Sequence, residues 1–395
     1  MIWLGLGLSI TLLLVVAQRN LYLAMFAAAI VLGLTTLPIS SFFHEVYLTF
    51  TDPSIVALAL VVAIIAMIGG ILEESGGMED LVSNMRIGKR PFLGASPALL
   101  GMLPMPGGAL LSAPMVERSG AELQGSTKAA LNVWFRHILF FVYPLAPPLI
   151  ASAKIAGLEV YSVLPYLLPF FLFSLLVGYF FFLRETTEGI NYEGAFSLRG
   201  LLIPLSIILS APLIDFVLKT VVNPEVSELA TLAGVVVSVL AAWVVSGFDF
   251  SELREVGIKM QPWNFSLIIL GMFTFLHVFQ ASGAPEVLAK VDVPMSGILI
   301  GVAFILGVIT GRIQAPASVV IPIFFARTGQ MSMPYLAFAV TYFSIFLGYA
   351  VSPIHPCVSI SVEYFESSVK NYIRKLAIPT VLSLALATGG YILFV

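Results

Sequence analysis

The segment Gly101–Pro114, GMLPMPGGALLSAP, holds three prolines and three glycines within an otherwise apolar stretch. Proline and glycine interrupt the hydrogen bonds of a helix, and unpaired backbone groups are too costly to face lipid. Irregular backbone at membrane depth is tolerated where it is buried in protein or lines a cavity. The segment therefore predicts a break in a membrane helix at a binding site.

Composition places the whole chain in a membrane. It has 395 residues, of which 59% are hydrophobic and only 10% charged, whereas soluble proteins carry about 25% charged residues. We therefore expect an all-α polytopic membrane protein with the lipid bilayer as its surroundings. The near-neutral charge predicts no nucleic-acid partner, and the single cysteine, Cys357, excludes an internal disulfide.

Apolar runs of about 20 residues are long enough to cross a bilayer. Ten segments are predicted to do so: 2–17, 20–38, 53–72, 128–153, 160–183, 200–218, 227–246, 263–281, 334–360 and 376–395. Two further apolar segments, 92–117 and 294–326, do not fit one simple crossing and carry polar or helix-breaking residues inside. We interpret both as re-entrant hairpins.

Positive charges support that interpretation. With both segments as hairpins, most lysines and arginines fall on one side, and the positive-inside rule makes that side cytoplasmic. Both termini are then outside, hairpin 92–117 opens from the cytoplasm and hairpin 294–326 opens from outside. The expected location is a prokaryotic cytoplasmic membrane.

Short motifs recur between the two halves of the chain. The sequence ILEESGGMEDLV at 71–82 resembles VFQASGAPEVLA at 278–289, and YPLAPP at 143–148 resembles YAVSPIHP at 349–356. We therefore predict two repeats, 1–184 and 199–395, joined by a polar linker, 185–198. Each repeat has five spans, including a proline-broken helix at 128–153 or 334–360. The odd number predicts that the repeats are inverted, a transporter architecture.

Four interruptions of the helices, namely the two hairpin tips and the two proline breaks, predict a site for an anion. Half-helices that start at mid-membrane present free N–H groups and partial positive charge. The predicted substrate-binding residues are Pro106, Gly107, Gly108, Ser112, Pro147, Pro148, Arg312, Gln314, Ala315, Ser318, Ser352, Pro353 and His355. Unwound carbonyls near Gly107 and Ala315 are candidates to hold Na⁺. The sequence contains no nucleotide-binding or metal-binding motif, so no other cofactor is predicted. The predicted coupling ion is therefore Na⁺ or H⁺.

Several candidate site residues can be interpreted either as ligands of a substrate or ion or as structural groups. Arg312 is either the charge partner of an anion or a structural group that ties hairpin carbonyls together. Arg136 lies about two turns into its span, where it could instead reach the cytoplasmic surface. His355 is either a proton relay or a donor that holds the break, and each serine could bond to its own helix instead of a ligand.

Two inverted repeats, each with a hairpin and a proline-broken span, resemble the ion transporter superfamily of secondary transporters. The PMPGGALLSAP tip and the ten-span count are most similar to an uncharacterised domain-of-unknown-function branch of it. The resemblance implies an elevator-like motion against a dimeric scaffold, and hence a homodimer. The Ser-Asn-Thr signatures of the dicarboxylate carriers are missing from this sequence, so the resemblance does not identify the substrate of this protein.

The favoured function is a secondary active transporter for a small anionic metabolite, a carboxylate, coupled to Na⁺ or H⁺. A cation/proton antiporter is the first alternative, although the core offers no Asp or Glu at mid-membrane depth. An intramembrane enzyme acting on lipid would need Ser112 and His355 as its nucleophile and base. We predict that the protein is not an enzyme.

Overall fold

The computed structural model describes residues 2–105, 107–186, 189, 192 and 195–394, and these form helices with no strand. The all-α fold of a polytopic membrane protein is thereby confirmed. The first half contains α1 (Ile2–Ala17), α2 (Leu21–Thr36), α3 (Ile39–Thr51), α4 (Pro53–Glu74), α5 (Gly77–Ser83), α6 (Lys89–Leu100), α7 (Ala109–Ser119), α8 (Gly125–Ile138), α9 (Pro147–Ile155) and α10 (Val160–Gly178). The second half contains α11 (Leu198–Val221), α12 (Glu228–Ser246), α13 (Phe250–Met260), α14 (Pro262–Ala281), α15 (Ala284–Ala289), α16 (Ala303–Thr310), α17 (Gln314–Thr328), α18 (Tyr335–Val351), α19 (Pro356–Tyr364) and α20 (Val369–Phe394).

Within the described chain, seven helical segments are long and apolar enough to cross a membrane. They are 53–74, 160–183, 198–221, 228–246, 262–281, 335–364 and 369–393. The predicted spans 2–17 and 20–38 correspond to α1 and α2, which have 16 residues each and pack on each other. The predicted span 128–153 is divided between α8 and α9. Many outward-facing leucines, valines and phenylalanines are exposed, as lipid contact requires.

The order of helices repeats between the two halves. Helices α1 to α10 correspond in position and relative length to α11 to α20, and π-helical turns follow α10 at 179–183 and precede α16 at 297–302. Contacts between the halves are reciprocal: α4 packs on α12 and α2 on α14, while α7 packs on α19 and α17 on α9. Two structural repeats related by a two-fold axis would produce such pairs of equivalent contacts. The boundaries predicted for the repeats stay predictions, and most of the predicted linker lies outside the described residues.

Both hairpins start and finish at the same place. Lys89, the first residue of α6, forms an ion pair of 2.8 Å with Glu122, which follows α7. Near the end of α17, the Arg327 guanidinium donates to the carbonyl of Val293, which precedes α16. A segment that crossed the bilayer once would hold these ends a membrane thickness apart. Each segment therefore enters and leaves at one side.

The proline-broken spans are interrupted where the sequence indicates. Helix α8 ends at Ile138, a 3₁₀ turn covers Leu139–Phe141, and α9 starts at Pro147. Helix α18 ends at Val351 and α19 starts at Pro356. Proline suits the first helical position because the N–H that it lacks would have no helical partner there.

Four short helices were not predicted from the sequence. Helices α3 and α13 are amphipathic connectors between spans; the N–H groups of Glu252 and Ser251 donate to Asp249, which starts α13. These bonds lower the pKa of Asp249. Helices α5 and α15 each follow a glycine in the left-handed region, Gly76 at φ 76° and Gly283 at φ 70°. The recurring Ser-Gly motif thus encodes a turn, since only glycine adopts that region at little cost.

Helices α16 and α18 cross so closely that glycine is required. A Cβ at Gly348 would lie 2.1 Å from the carbonyl oxygen of Phe304, and one at Gly307 would lie 2.6 Å from that of Ile345. Such backbone neighbours can move apart only if the second hairpin shifts against α18. The crossing therefore fixes the hairpin in place.

Replacing Gly348 by alanine is expected to lower the free energy of unfolding by about 1–3 kcal/mol, the usual cost of overpacking. Gly301→Ala is the matched control, because a Cβ there meets no atom within 4 Å. Melting in detergent, followed by tryptophan fluorescence, compares the two variants. Equal melting temperatures for both would contradict the close crossing.

Candidate functional site

A cavity of about 280 Å³ lies where the first turns of four half-helices meet. These are α7 and α17, the second arms of the hairpins, and α9 and α19, the second parts of the broken spans. Helix starts expose N–H groups that lack helical partners and carry partial positive charge. The two halves of the chain contribute equally, so the cavity exists only when both are folded together.

The first hairpin tip carries glycines that let Arg136 approach. A Cβ at Gly108 would lie 2.0 Å from Nη2 of Arg136, and a Cβ at Gly101 would lie 1.8 Å from the carbonyl oxygen of Arg136. Gly107 has φ 69°, in the left-handed region. Two of these glycines therefore make room for an arginine on α8, and the third turns the chain.

The second hairpin tip packs on the broken span of its own half. Gly311 ends α16 with φ 56°, and a Cβ there would lie 3.0 Å from the backbone nitrogen of His355. The hydroxyl of Thr310 donates to the carbonyl of Arg312 at 3.3 Å. Among the described residues, no acceptor reaches the Arg312 guanidinium, which lines the cavity.

Arg136 also lines the cavity, and the interpretation that it reaches the membrane surface is wrong. Its side chain is 3% exposed, and Nη1 donates to Oγ of Ser112 at 3.5 Å, the outer limit of a hydrogen bond. Ser112 is neutral, and no aspartate or glutamate occurs among the described residues that line the cavity. Two guanidinium groups, one from each half, thus face the cavity without a carboxylate.

Three rings and a thiol form the polar wall between the arginines. The ring centroids of His137 and His355 are 4.9 Å apart, and Tyr349 lies 3.9 Å from His355 and 5.1 Å from His137. The donor atoms of the two histidines and Cys357 lie within 4.8 Å of one another. Because the adjacent guanidinium charges repel a metal cation, we do not assign a metal to this group.

The opposite wall of the cavity is apolar. It is formed by helices α2, α4 and α14 and consists of Leu21, Val62, Phe265, Ile268 and Ile269. Helix α14 packs on both α2 and α4, and α4 also packs on α12; of the hairpin helices, α17 packs on α14. The cavity therefore lies between two groups of helices, a common location for small-molecule sites.

The structure brings seven of the predicted site residues to the cavity and leaves five behind its wall. At the cavity lie Gly107, Gly108, Pro147, Pro148, Arg312, Gln314 and His355. Outside its lining lie Ser112, Ala315, Ser318, Ser352 and Pro353. Pro106 is outside the described residues. The cavity is also lined by Tyr349 and Cys357, which the sequence did not predict as site residues. The only signal in the sequence that could have identified them is their position on either side of the second break.

The three predicted serine ligands bond to backbone instead. Ser112 and Ser318 donate to the carbonyls of Ala109 and Ala315, three residues earlier. Ser352 donates to the carbonyl of Val308 at 2.6 Å, which joins the break to α16. Such bonding is common for serine in helices, and here it engages these hydroxyls with the protein's own backbone.

Comparison with known proteins agrees with this architecture. The family model described as a protein of unknown function, DUF401, matches residues 4–394. The chain belongs to the DUF401 family. No curated protein matches the sequence. Among solved structures, the chain is similar to the crystal structure of the Alcanivorax borkumensis YdaH transporter, with a TM-score of 0.57 and 14% identity over 93% of this chain and 94% of that one.

The charge of the cavity can be tested at Cys357, the only cysteine of the chain. We expect an anionic methanethiosulfonate to modify it faster than a cationic one by about tenfold, relative to the same ratio for free cysteine, because two guanidiniums attract the anion. Arg312→Gln should reduce the ratio, whereas Arg199→Gln, at an exposed position, should not. If the cationic reagent modified Cys357 as fast as the anionic one, with both rates taken relative to free cysteine, the result would contradict a positive cavity.

Proposed function

We propose that this DUF401 protein is a secondary active transporter for a small anionic metabolite, a carboxylate, coupled to Na⁺ or H⁺. The observation that carries the proposal is the pair of guanidiniums, Arg136 and Arg312, that face one cavity with no carboxylate among its described lining residues. A buried charge is costly unless it is paired, and a bound anion supplies the missing pair.

Helix starts complement the two arginines. An anion in the cavity meets the first turns of α7, α17 and α19, whose N–H groups favour negative charge. Helix α9 adds no free N–H, because it starts with Pro147 and Pro148 and the next two N–H groups donate to the carbonyl of Ala146. Guanidinium groups bind carboxylates through two parallel hydrogen bonds, which gives orientation as well as affinity. Gln314 at the second tip adds an amide that can donate to a further oxygen of the ligand.

The position of the cavity suits transport by an elevator-like motion. Its polar wall belongs to the hairpins and broken spans, and its apolar wall belongs to α2, α4 and α14. A smooth apolar wall makes few directional bonds, so the polar group can slide along it with the ligand. The similar YdaH protein is named a transporter, and we include in the proposal membership of the ion transporter superfamily and a homodimeric scaffold.

The coupling cation has two candidate locations. The first is Na⁺ at backbone carbonyls near Gly107 and Ala315, as predicted from the sequence. Ala315 itself is not unwound, because it lies in α17, and its carbonyl accepts from the Ser318 hydroxyl. The Gly107 carbonyl accepts from the N–H of Leu110, so neighbouring carbonyls would have to hold the ion. Imidazoles in the cavity offer sites for H⁺. Because the guanidiniums repel a cation, we expect either ion to bind together with the anion and not to the empty site.

The alternatives fit the cavity less well. A cation/proton antiporter needs a carboxylate that exchanges the two ions, and the described lining contains none. A lipid-acting enzyme was predicted to pair Ser112 with His355. The Ser112 hydroxyl instead donates to Ala109 and accepts from Arg136, and it lies outside the cavity that His355 lines.

Anion binding is tested by a thermal-shift screen of the purified protein with benzoate, lactate, fumarate and tartrate. A ligand that binds the native state raises its melting temperature by mass action. Proteoliposome uptake of the best binder, with and without a sodium or proton gradient, then tests transport. No shift and no uptake with any of the four would count against the proposal.

Arg312→Gln and Arg136→Gln are each expected to weaken binding of that anion at least about 30-fold, since loss of a buried charge partner costs about 2–5 kcal/mol. Arg199→Gln is the matched control, because it removes the same charge at an exposed position at the start of α11. Isothermal titration gives the dissociation constants. Unchanged affinity in both cavity variants would remove the arginines from the site.

A further inference from the structure

His355 carries a buried nitrogen with no partner. Its side chain is 1% exposed and lines the cavity, and Nδ1 has no hydrogen-bond partner in the described part of the chain. A buried polar atom without a partner is costly, so natural proteins keep few of them without a reason. A neutral imidazole offers one nitrogen that can accept a proton, and the His355 ring lines the cavity in which a ligand would bind.

The break itself does not require a histidine. His355 precedes α19 with φ −67° and ψ 122°, and Ala146 precedes α9 in the other half with φ −63° and ψ 118°. The two backbones are nearly identical, and both are followed by a proline at the first helical position. Alanine therefore suffices to build this turn, which leaves the His355 ring available for another role.

The charges around His355 are positive or neutral. The groups around it are Arg136 and His137 from α8, Arg312 from the hairpin tip, Tyr349 from α18 and Cys357 from α19, and Tyr372 from α20 lies near Cys357. The Tyr372 hydroxyl is occupied, since it donates to the carbonyl of Ala350 at 2.6 Å. None of these groups supplies a negative countercharge for an imidazolium. A third positive charge beside two guanidiniums is unfavourable until an anion enters.

We propose that His355 is the site of a coupling proton, which it takes from water when an anion binds and returns to water when the anion leaves. This inference rests on the proposed transport function and names its coupling ion. The anion offsets positive charge of the two guanidiniums, so a proton on the His355 ring is then less strongly repelled and gains an electrostatic partner. Anion and proton thus bind cooperatively, which by linkage is reciprocal.

The test is the pH dependence of anion affinity in EDTA-containing buffer between about pH 6 and 8, a range that includes the usual imidazole value. Benzoate, lactate, fumarate and tartrate stay ionised there because carboxyl groups titrate near about pH 4. In the wild-type protein, the dissociation constant of the best binder should increase with pH, by up to about tenfold per pH unit. Titrations in weakly buffered solution with an indicator dye should show uptake of up to one proton per anion.

His355→Ala should bind the anion with an affinity that no longer depends on pH, and should take up no proton. It is expected to fold, because the chain already uses alanine at the equivalent position 146. His44→Ala, at an exposed position, is the matched control and should keep both effects.

Nitrogen NMR of protein with labelled histidines gives an independent readout. The chain has four histidines, and the signals lost in His355→Ala identify this one. Adding the anion should convert its nitrogens from the neutral to the protonated pattern. Anion binding without proton uptake, or with uptake that survives His355→Ala, would overturn the inference and leave the transport proposal intact. Failure of all four anions to bind would overturn both.

Discussion

Two guanidinium groups that face one cavity without a carboxylate, Arg136 buried and Arg312 half-buried, are the constraint on which this structure depends. Gly101 and Gly108 of the first hairpin leave the space that Arg136 occupies, because a Cβ at either position would collide with it. Its polar neighbour Ser112 is neutral, and Arg312 has no acceptor among the described residues. A cavity built in this way is unfavourable when empty, and the anion that we propose as its ligand would relieve that cost.

The internal repeat explains how a membrane protein can maintain such a site. A single half-helix start in lipid would leave several N–H groups unpaired. Here α7 packs on α19 and α17 on α9, so each broken end is covered by an element of the other half. The same reciprocal contacts bring four helix starts together. Both halves therefore build the cavity, and neither half could form it alone.

Much of this arrangement could be predicted from the sequence, because proline and glycine act locally. The tips, the breaks and the inward Arg312 were predicted from residues that interrupt helices. Arg136 could not be assigned, since its direction depends on Gly101 and Gly108, which lie far from it in the chain. The serines were equally ambiguous, because a serine in a helix can bond to its own backbone. Long-range packing decided these cases.

The differences between the repeats are more informative about mechanism than their similarity. Backbone geometry at Ala146 and His355 is nearly the same, so the duplication preserved the break while only one copy carries a titratable ring. The arginines also come from unlike elements, Arg136 from a broken span and Arg312 from a hairpin tip. Because the symmetric features build the cavity and the asymmetric ones carry the charge, an anion bound as we propose would take one orientation in the cavity. The proposed coupling proton would then lie at one end of that anion only, the end nearer His355.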